Sequence, residues 1–202
     1  EGESWTIMKE ADGSKLVAQV QGLKGILNVA QIVVSSLDLD EVLQNILHSA
    51  MSVMDMPAGS VALYDANNYQ LELHAHAGLS DKFVALDRWR VKPGGLTHEI
   101  LERGEVFIVD DTARADFFTN PLAIEEGISS LIAVPLKIHK RTIGVLYLDD
   151  FKSREFDAEK LELLSVLSSF ATMSIDHARL YARTLHFACT VVLTGLYNHR
   201  QF

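Results

Sequence analysis

Apolar residues near both ends of the chain recur at alternating steps of three and four, the spacing of a helix that buries a single seam. The first seam comprises Leu16, Val20, Leu23, Leu27, Ala30 and Val34. The second, in a long helix predicted over about 157–186, comprises Leu164, Leu167, Ala171, Ser174, Ala178, Tyr181 and Leu185. The pattern predicts long N- and C-terminal helices that pack on each other and on a second copy of the chain as a dimer bundle.

The segment after the first seam predicts a helix followed by a β-hairpin. Asp38 and Glu41 have the spacing of a capping box at the start of a helix over about Leu39–Met54. Two apolar, alternating runs then flank a turn at 65–68, which is typical of a hairpin. The hydrophobic period therefore changes from helical to extended near Pro57.

The second half of the chain predicts further strands. A Pro-Gly-Gly turn at 93–95 precedes a short helix at 96–102, and a short strand at 106–109 precedes a polar loop at 110–127. Two strands, SSLIAVPLKI and TIGVLYLDDF, are apolar on both faces, so we expect the sheet to be covered on both sides. The element order predicts an α+β fold with a central antiparallel sheet.

The composition is that of a globular domain, with 202 residues of which 48% are apolar and 22% are charged. A formal net charge of −9 argues against nucleic acid and anionic membranes as partners, since both attract clustered Lys and Arg. Cys189 is the only cysteine, which excludes an intramolecular disulfide. No apolar run reaches the ~18 to 20 residues of a membrane helix. These features predict a cytoplasmic protein that contacts neither nucleic acid nor membrane.

Four stretches, in their order along the chain, resemble the GAF family of sensory domains. LDLDEVLQNIL is similar to the opening helix of that family, and PGGLTHEILERGEVFIVDD to its glycine turn, helix and Asp-terminated strand. GISSLIAVPLKIHKRTIGVLYLDD is similar to its paired central strands, and FDAEKLELLSVLSSFATMSIDHARLY to its closing helix. The resemblance implies a non-catalytic sensory or regulatory domain of a bacterial-type signalling protein, which binds a small molecule.

The stretch LTGLYNHRQF resembles the opening motif of GGDEF domains, the diguanylate cyclase family. Its LTGL run, Asn198 and Arg200 match the family pattern, whereas Val191 stands where that family commonly has Asp. The metal- and nucleotide-binding motifs of the family lie further downstream and are absent from this sequence. The resemblance implies a sensor that controls a C-terminal, cyclic di-GMP-producing output domain, with no catalysis by this chain itself.

These features divide the chain into four segments. We expect a linker at 1–14, an N-terminal signalling helix at 15–36, a GAF-like sensory domain at 37–181, and the end of a linker helix with the start of a GGDEF domain at 182–202. We expect a parallel homodimer through the terminal helices. The residues predicted at its interface are Leu23, Leu27, Leu164, Ala171, Ala178 and Tyr181.

A small-molecule site is expected between the sheet and the region 87–125, because ligands usually meet loops supported by a rigid sheet. The predicted lining consists of polar and aromatic side chains: His74, His76, Trp89, Phe107, Asp111, Phe117, Ser130 and Tyr147. The alternative is a ligand-free structural dimerisation module in which the pocket is closed. An open pocket with convergent polar groups would distinguish the two.

Other chemistry has less support. His74 and His76 are two apart on a strand and are predicted to share a face, but no third ligand lies at a recognisable spacing, so we expect neither a metal nor haem. In bilin-binding relatives the cysteine lies within the sensory domain, whereas Cys189 lies beyond the closing helix, so we expect no covalent bilin. The acidic pairs at 110–111 and 149–150 lack a nucleophile beside them and are expected to cap turns or face solvent.

Overall fold

The computed structural model describes residues 38–193. In order along the chain the elements are α1 (Leu39–Met54), β1 (Ala58–Asp65), β2 (Gln70–Ala77), α2 (Asp81–Val84), β3 (Arg88–Arg90), α3 (Leu96–Arg103), β4 (Phe107–Val109), a 3-10 helix (Thr112–Arg114), α4 (Pro121–Glu125), β5 (Ser130–Ile138), β6 (Arg141–Asp150) and α5 (Ala158–Leu193). Within this part of the chain, no helix is both long and apolar enough to cross a membrane.

The six strands form one antiparallel sheet with the order β3-β2-β1-β6-β5-β4. β5 and β6 form a hairpin in which Ile138 pairs with Arg141. β1 lies so close to β6 that a Cβ on Gly144 would be 2.7 Å from the carbonyl oxygen of Ala62, so only a glycine fits there without a shift of the backbone. The predicted α+β fold with a central antiparallel sheet is confirmed.

One face of the sheet is covered by α1 and α5. The side chain of Asp38 caps α1 by accepting hydrogen bonds from the backbone N–H groups of Asp40 and Glu41, at 3.0 and 3.3 Å. The two helices and the sheet enclose a cluster of aliphatic side chains that includes Leu43, Ile46, Leu47, Ile132, Leu136, Leu146, Leu148, Leu164, Leu167, Ala171 and Ile175. Aliphatic burial on this scale is a main source of folding free energy.

The seam predicted on the last helix packs largely inside the chain. Leu164 and Ala171, which were expected at a subunit interface, are 1% and 0% exposed and belong to the cluster shared with α1. An apolar seam with three-and-four spacing can be buried by another helix of the same chain or by a second copy of the chain. The sequence pattern is the same in both cases. Further along α5, Ala178 is half-buried and Tyr181 is exposed, so their place at an interface stays a prediction.

Several predicted features lie outside the described residues. They are the linker at 1–14, the signalling helix at 15–36 with Leu23 and Leu27, and the GGDEF-like motif beyond Leu193. The dimer bundle built from both terminal helices therefore stays a prediction. The helix predicted to end near 186 continues to Leu193.

The opposite face of the sheet is covered by short helices and the segments between them. The segment at 110–127, predicted as a loop, contains the 3-10 helix and α4. Asp111 and Asn120 cap these two turns by accepting hydrogen bonds from Ala113 N–H and Leu122 N–H, at 3.0 and 3.1 Å. Short helices leave more space over a sheet than two long ones do, and this face holds the site described next.

Candidate ligand-binding site

A cavity of about 380 Å³ lies between the second face of the sheet and the segments that cover it. Its floor consists of Ser60 on β1, Leu131 on β5, and Tyr147 and Asp149 on β6. Its roof and walls come mainly from the segments around β3, α3 and α4, and include Phe83, Trp89, Leu96, Thr97, Phe117 and Phe118. A cavity of this volume lies within the range of small-molecule sites.

The register of the sheet explains why the floor residues form one patch. Residues two apart on a strand point to the same face, which brings together Tyr147 and Asp149. Ser60 lies opposite Tyr147 on β1, and Leu131 lies opposite Asp149 on β5. Side chains of directly opposed residues are neighbours, so three polar groups and one leucine share the floor.

The turn at 93–95 directs α3 over this floor. Gly94 has a φ of +73°, a conformation that glycine adopts at little cost. In the first turn of α3, Thr97 reaches the floor, and its Oγ1 lies 2.9 Å from the Tyr147 hydroxyl. Burial raises the pKa of Tyr147, and the hydrogen bond between its hydroxyl and Thr97 opposes part of that rise. Tyr147 is therefore a neutral phenol at physiological pH, able to donate or accept a hydrogen bond.

Aromatic side chains form much of the roof. Trp89 comes from the edge strand β3, and Phe117 and Phe118 come from the segment between the 3-10 helix and α4. Phe107 on β4 supports Phe117 by an edge contact, with ring centroids 6.4 Å apart and an interplanar angle of 75°. The roof therefore suits the apolar body of a ligand, and the floor supplies the polar groups.

Asp149 is the most unusual group in the cavity, because it is an acidic side chain that is only 4% exposed. No hydrogen bond or ion pair to its carboxylate is present within residues 38–193. Burial, and secondly the negative charge of Glu126, raise its pKa to about 7. Near neutral pH this group can therefore either hold a proton or present a negative charge to a ligand.

Of the predicted set, Trp89, Phe117 and Tyr147 line the cavity, the first two in its roof and Tyr147 in its floor. Phe107 lies behind Phe117, as described above. Asp111 caps the 3-10 helix and lies 3.2 Å from Arg114 in an ion pair, away from the cavity. Whether the wall residues contact a ligand stays a prediction.

Ser130 faces the opposite side of the sheet. It is fully buried, and its hydroxyl donates to the carbonyl oxygen of Lys152 at 2.7 Å. Its neighbour Leu131 takes the cavity side, because successive residues on a strand point to opposite faces. Ser130 was predicted to line the cavity; its strand β5 does border the cavity, but the Ser130 side chain lies on the other face of the sheet.

His74 and His76 also lie outside the cavity. A bulge interrupts the pairing of β1 with β2, where Val61 pairs with Ala75 and Ala62 pairs with Leu73, which leaves His74 without a directly opposed residue. The Nδ1 atom of His74 lies 2.6 Å from the Asp40 carboxylate on α1.

The bulge explains why the two histidines do not share a face. An extra residue in a strand breaks the two-residue alternation on which the prediction of a shared face depended. His76 is exposed, and only its backbone is engaged, by Gln44. Among the described residues, no group of three or more His, Cys, Asp or Glu side chains is arranged to hold a metal ion.

Sequence reasoning missed Asp149, Ser60, Leu131 and Thr97. Asp149 could have been found from alternation, since Tyr147 was placed in the site and Asp149 lies two residues further along the same strand. Ser60 and Leu131 depend in addition on how β1 and β5 pair with β6. Asp149 was interpreted instead as one of an acidic pair with Asp150. In the structure both are buried, at 4% and 5% exposure, and they lie on opposite faces.

Known proteins share both sequence and fold with this chain. A family model described as GAF domain matches residues 36–176. The Nif-specific regulatory protein of Azospirillum lipoferum is 33% identical over 128 residues, which cover 61% of this chain and 20% of that protein. The formate hydrogenlyase transcriptional activator of Salmonella typhimurium is 22% identical over 185 residues, which cover 87% of this chain and 26% of that protein. The chain thus spans only a minor part of these relatives.

Solved structures show the same fold. The GAF domain of a phosphoenolpyruvate-protein phosphotransferase from Coxiella burnetii has a TM-score of 0.72 at 21% identity, covering 81% of this chain and 98% of that one. Free methionine-R-sulfoxide reductase from Neisseria meningitidis, solved in complex with its substrate, has a TM-score of 0.66 at 19% identity, covering 79% and 91%. From the match of the family model over 36–176, together with the sheet and the helices on its two faces, we conclude that the chain belongs to the GAF domain family.

Proposed function

We propose that this chain is a sensory domain that binds a small molecule in the cavity and passes its occupancy to an output domain through α5. The observation that carries the proposal is a cavity with an aromatic roof over a floor where Ser60, Tyr147 and Asp149 converge. An apolar pocket with a few convergent polar groups is the usual form of a small-molecule site. The regulatory names of the curated relatives support a signalling role.

A short chain of polar contacts connects the cavity floor to the helices. Asp150 follows Asp149 on β6 and forms an ion pair with Arg154, at 2.8 Å, just before α5. Arg154 also donates to the carbonyl oxygens of Met54 and Asp55 at the end of α1, at 3.1 and 2.8 Å. A ligand that moves the end of β6 would therefore act on both helices, provided that it binds two arrangements unequally.

The proposed output is a GGDEF domain that makes cyclic di-GMP. The support for it is the LTGLYNHRQF stretch at 193–202, because the comparisons describe regulators of other kinds. The lone cysteine and the net charge of −9 support the cytoplasm as the compartment.

Assembly as a parallel homodimer is a further part of the proposal. Val166, Met173 and Leu180 recur every seven residues on α5 and are 39%, 50% and 51% exposed, beside the exposed Tyr181. An apolar stripe at heptad spacing favours packing against a second helix. In light scattering, Met173→Glu should lower the dimer fraction, and Arg179→Glu on the same helix should not. A monomeric wild-type protein would contradict the dimer.

The alternative function, a structural dimerisation module without a ligand, would need a closed pocket. The open cavity and its buried polar floor favour ligand binding over that alternative.

A cavity-filling variant tests the proposed function. Leu96→Trp should fill the cavity, whereas Leu101→Trp makes the same substitution on the same helix outside the cavity wall. Melting temperature should be measured with a chemically diverse panel of small metabolites. Compounds that stabilise the wild-type protein by mass action should stabilise Leu101→Trp and not Leu96→Trp. If no compound raises the melting temperature, or if both variants respond alike, the proposal fails.

The output proposal has its own test in the full-length parent protein. Cyclic di-GMP synthesis should depend on a compound that stabilises this domain, and Leu96→Trp should remove that dependence. A parent without cyclic di-GMP synthesis would contradict a GGDEF output and leave the ligand-binding proposal standing.

A further inference from the structure

The carboxylate of Asp149 lies at the floor of the cavity without a partner. The residue is 4% exposed and borders the cavity, and within residues 38–193 neither a hydrogen-bond donor nor a cationic side chain engages its carboxylate. An ionised carboxylate taken out of water is costly unless a cation or donors compensate for the lost hydration. The chain therefore keeps an ionisable carboxyl group in a place where, among the described residues, no donor or cation compensates its ionised form.

The adjacent aspartate shows how this chain compensates a buried carboxylate elsewhere. Asp150 is 5% exposed, but it is paired with Arg154 at 2.8 Å and accepts a hydrogen bond from Lys152 N–H at 3.2 Å. The two residues are equally buried and differ in the face on which they lie. The Asp150 carboxylate, on the helix side, is paired within the chain. The Asp149 carboxylate, on the cavity side, has no partner among the described residues.

The charged and titratable groups around Asp149 do not supply the missing partner. Glu126, which follows α4, is itself negative, and its two oxygens accept hydrogen bonds from the N–H and hydroxyl of Ser80, both at 2.6 Å. Tyr147, on the same strand, is engaged by Thr97. Arg90 and Lys92 border the cavity from β3 and the turn after it, and neither forms an ion pair with Asp149. The floor is therefore acidic, and the positive charges of the wall are left for solvent or for another part of a ligand.

We propose that the cavity binds a small organic cation, a primary amine or guanidine on an apolar body, whose charged nitrogen donates hydrogen bonds to the Asp149 carboxylate. This inference rests on the proposed function of the cavity as a ligand site. A charge-assisted hydrogen bond at a desolvated carboxylate is among the stronger polar contacts available to a ligand. Trp89 and Phe117 line the same cavity, and aromatic rings are compatible with a cationic ligand because their faces attract cations. A cavity of about 380 Å³ lies near the small end of the range for small-molecule sites, which favours a compact ligand.

Binding of such a ligand depends on pH in a defined direction. The pKa of Asp149 is raised to about 7, first by burial and then by Glu126, and only the ionised form attracts a cation. Affinity for an amine that stays protonated throughout should therefore rise as pH increases through 7. Between pH 5.5 and pH 8 the ionised fraction of Asp149 grows roughly thirty-fold, which sets the expected gain in affinity.

The test uses the whole chain and a panel of matched compounds. Each set contains a primary amine, the alcohol of the same shape and the corresponding carboxylate, such as 2-phenylethylamine, 2-phenylethanol and 3-phenylpropanoate, with aliphatic and guanidine sets alongside. Binding is measured by calorimetry at pH 5.5 and pH 8. At least one amine or guanidine should bind at pH 8, with the alcohol and carboxylate of its set about tenfold or more weaker.

Two variants separate the charge of Asp149 from general effects. Asp149→Asn keeps the shape of the side chain and should weaken the amine about ten- to a hundredfold while removing the pH dependence. Asp116→Asn makes the same change in charge on an exposed aspartate next to the cavity segment, and should leave binding unchanged. The pH dependence of the wild-type protein is an independent measurement that does not require either variant to fold.

The outcomes distinguish this inference from the proposed function. If alcohols or carboxylates bind as tightly as amines, or if Asp149→Asn keeps full affinity for the amine, the cation is the wrong ligand class and the cavity is still a binding site. If no compound of any charge binds, both the cation and the proposed function are wrong. Preferential amine binding that is lost in Asp149→Asn and at pH 5.5 supports both.

Discussion

The two faces of the central sheet are covered by different kinds of structure. The face under α1 and α5 is packed with aliphatic side chains from two long helices, such as Leu43 and Leu167, both at 0% exposure. The opposite face is covered by helices of a few residues and by connecting segments, and it encloses aromatic rings, buried polar groups and a cavity. We therefore expect the face under α1 and α5 to contribute most of the stability and the opposite face to bind the ligand.

The adjacent residues Asp149 and Asp150 show this difference at the scale of one dipeptide. Both carboxylates are buried, but Arg154 pairs with Asp150 on the helix side, whereas Asp149 faces the cavity with no partner among residues 38–193. Burial of a charge alone does not identify a site, because a paired charge can be purely structural. The unpaired member of the two is the one that points to a ligand.

The largest expected effect comes from truncating a leucine on the helix-covered face. Leu167→Ala should lower the free energy of unfolding by about 2 to 5 kcal/mol, because it removes buried methyl groups and leaves a cavity. The same change at Leu96, a half-buried residue that borders an existing cavity, should cost only about 1 kcal/mol. Urea unfolding of both variants measures the difference. Equal losses of stability in the two variants, or a loss below ~0.5 kcal/mol for Leu167→Ala, would contradict the expectation that the helix-covered face contributes most of the stability.

The second prediction concerns the pH dependence of stability on the cavity side. Between its ordinary pKa of 3.8 and the raised value of about 7, Asp149 holds a proton in the folded state and not in the unfolded state. The free energy of unfolding therefore falls as pH rises from about 4 to about 7, and stays reduced above that range. At pH 8, Asp149→Asn should be more stable than the wild-type protein by at most about 4 kcal/mol, and at pH 4 the two should be similar.

Urea unfolding of wild-type protein and Asp149→Asn across this pH range provides the measurement. The exposed-aspartate variant Asp116→Asn is the control and should follow the wild-type curve. If Asp149→Asn is less stable than the wild-type protein at pH 8, then Asp149 has a stabilising partner and the contrast with Asp150 is lost.

The third prediction tests the paired aspartate. Arg154→Met should destabilise the fold by about 2 kcal/mol, because it leaves Asp150 buried without its cation and frees two carbonyl oxygens at the end of α1. This loss of stability is smaller than that expected for a fully buried ion pair, since the Arg154 side chain is 29% exposed. Chemical unfolding at pH 7 checks it. Removing Asp150 as well, in Asp150→Asn/Arg154→Met, should recover part of the loss, and an unchanged double variant would contradict the pairing argument.

The smallest expected effect is at the rim of the cavity side. Lys82 and Glu125 form an ion pair between α2 and α4, with side chains 67% and 58% exposed. Solvent and salt screen such a pair, so Lys82→Ala should change the free energy of unfolding by less than about 0.5 kcal/mol. A loss above ~1 kcal/mol would mean that the contact between these short helices contributes substantially to stability, which would contradict the difference expected between the two faces.

Much of the fold follows from local pattern, and the exceptions have identifiable physical causes. The bounds of α1 match the prediction because its cap, its apolar period and the following Pro57 all agree. The edge strand β3 and the short α2 were not predicted, since three or four residues are too few to establish a period. The burial of Leu164 and Ala171 against α1 could not be separated from burial against a second copy, because both use the same seam.

The candidate site was predictable where alternation holds and unpredictable where it fails. Tyr147 was found as an aromatic residue on a central strand, and Trp89 and Phe117 as aromatics in the covering segments. His74 and His76 were expected to share a face, but the extra residue in β2 breaks the alternation between them, and nothing in the residue types marks that bulge.

Binding of the ligand on the short-helix face can be measured directly. Two-dimensional amide and indole NMR spectra of the chain should be recorded during titration with a compound that raises its melting temperature. The largest shifts should occur at the Trp89 indole and at the amides of Thr97, Leu131 and Asp149, with smaller changes at Leu43 and Leu167. Shifts concentrated on α1 and α5, with the Trp89 and Asp149 signals unmoved, would contradict binding on the short-helix face.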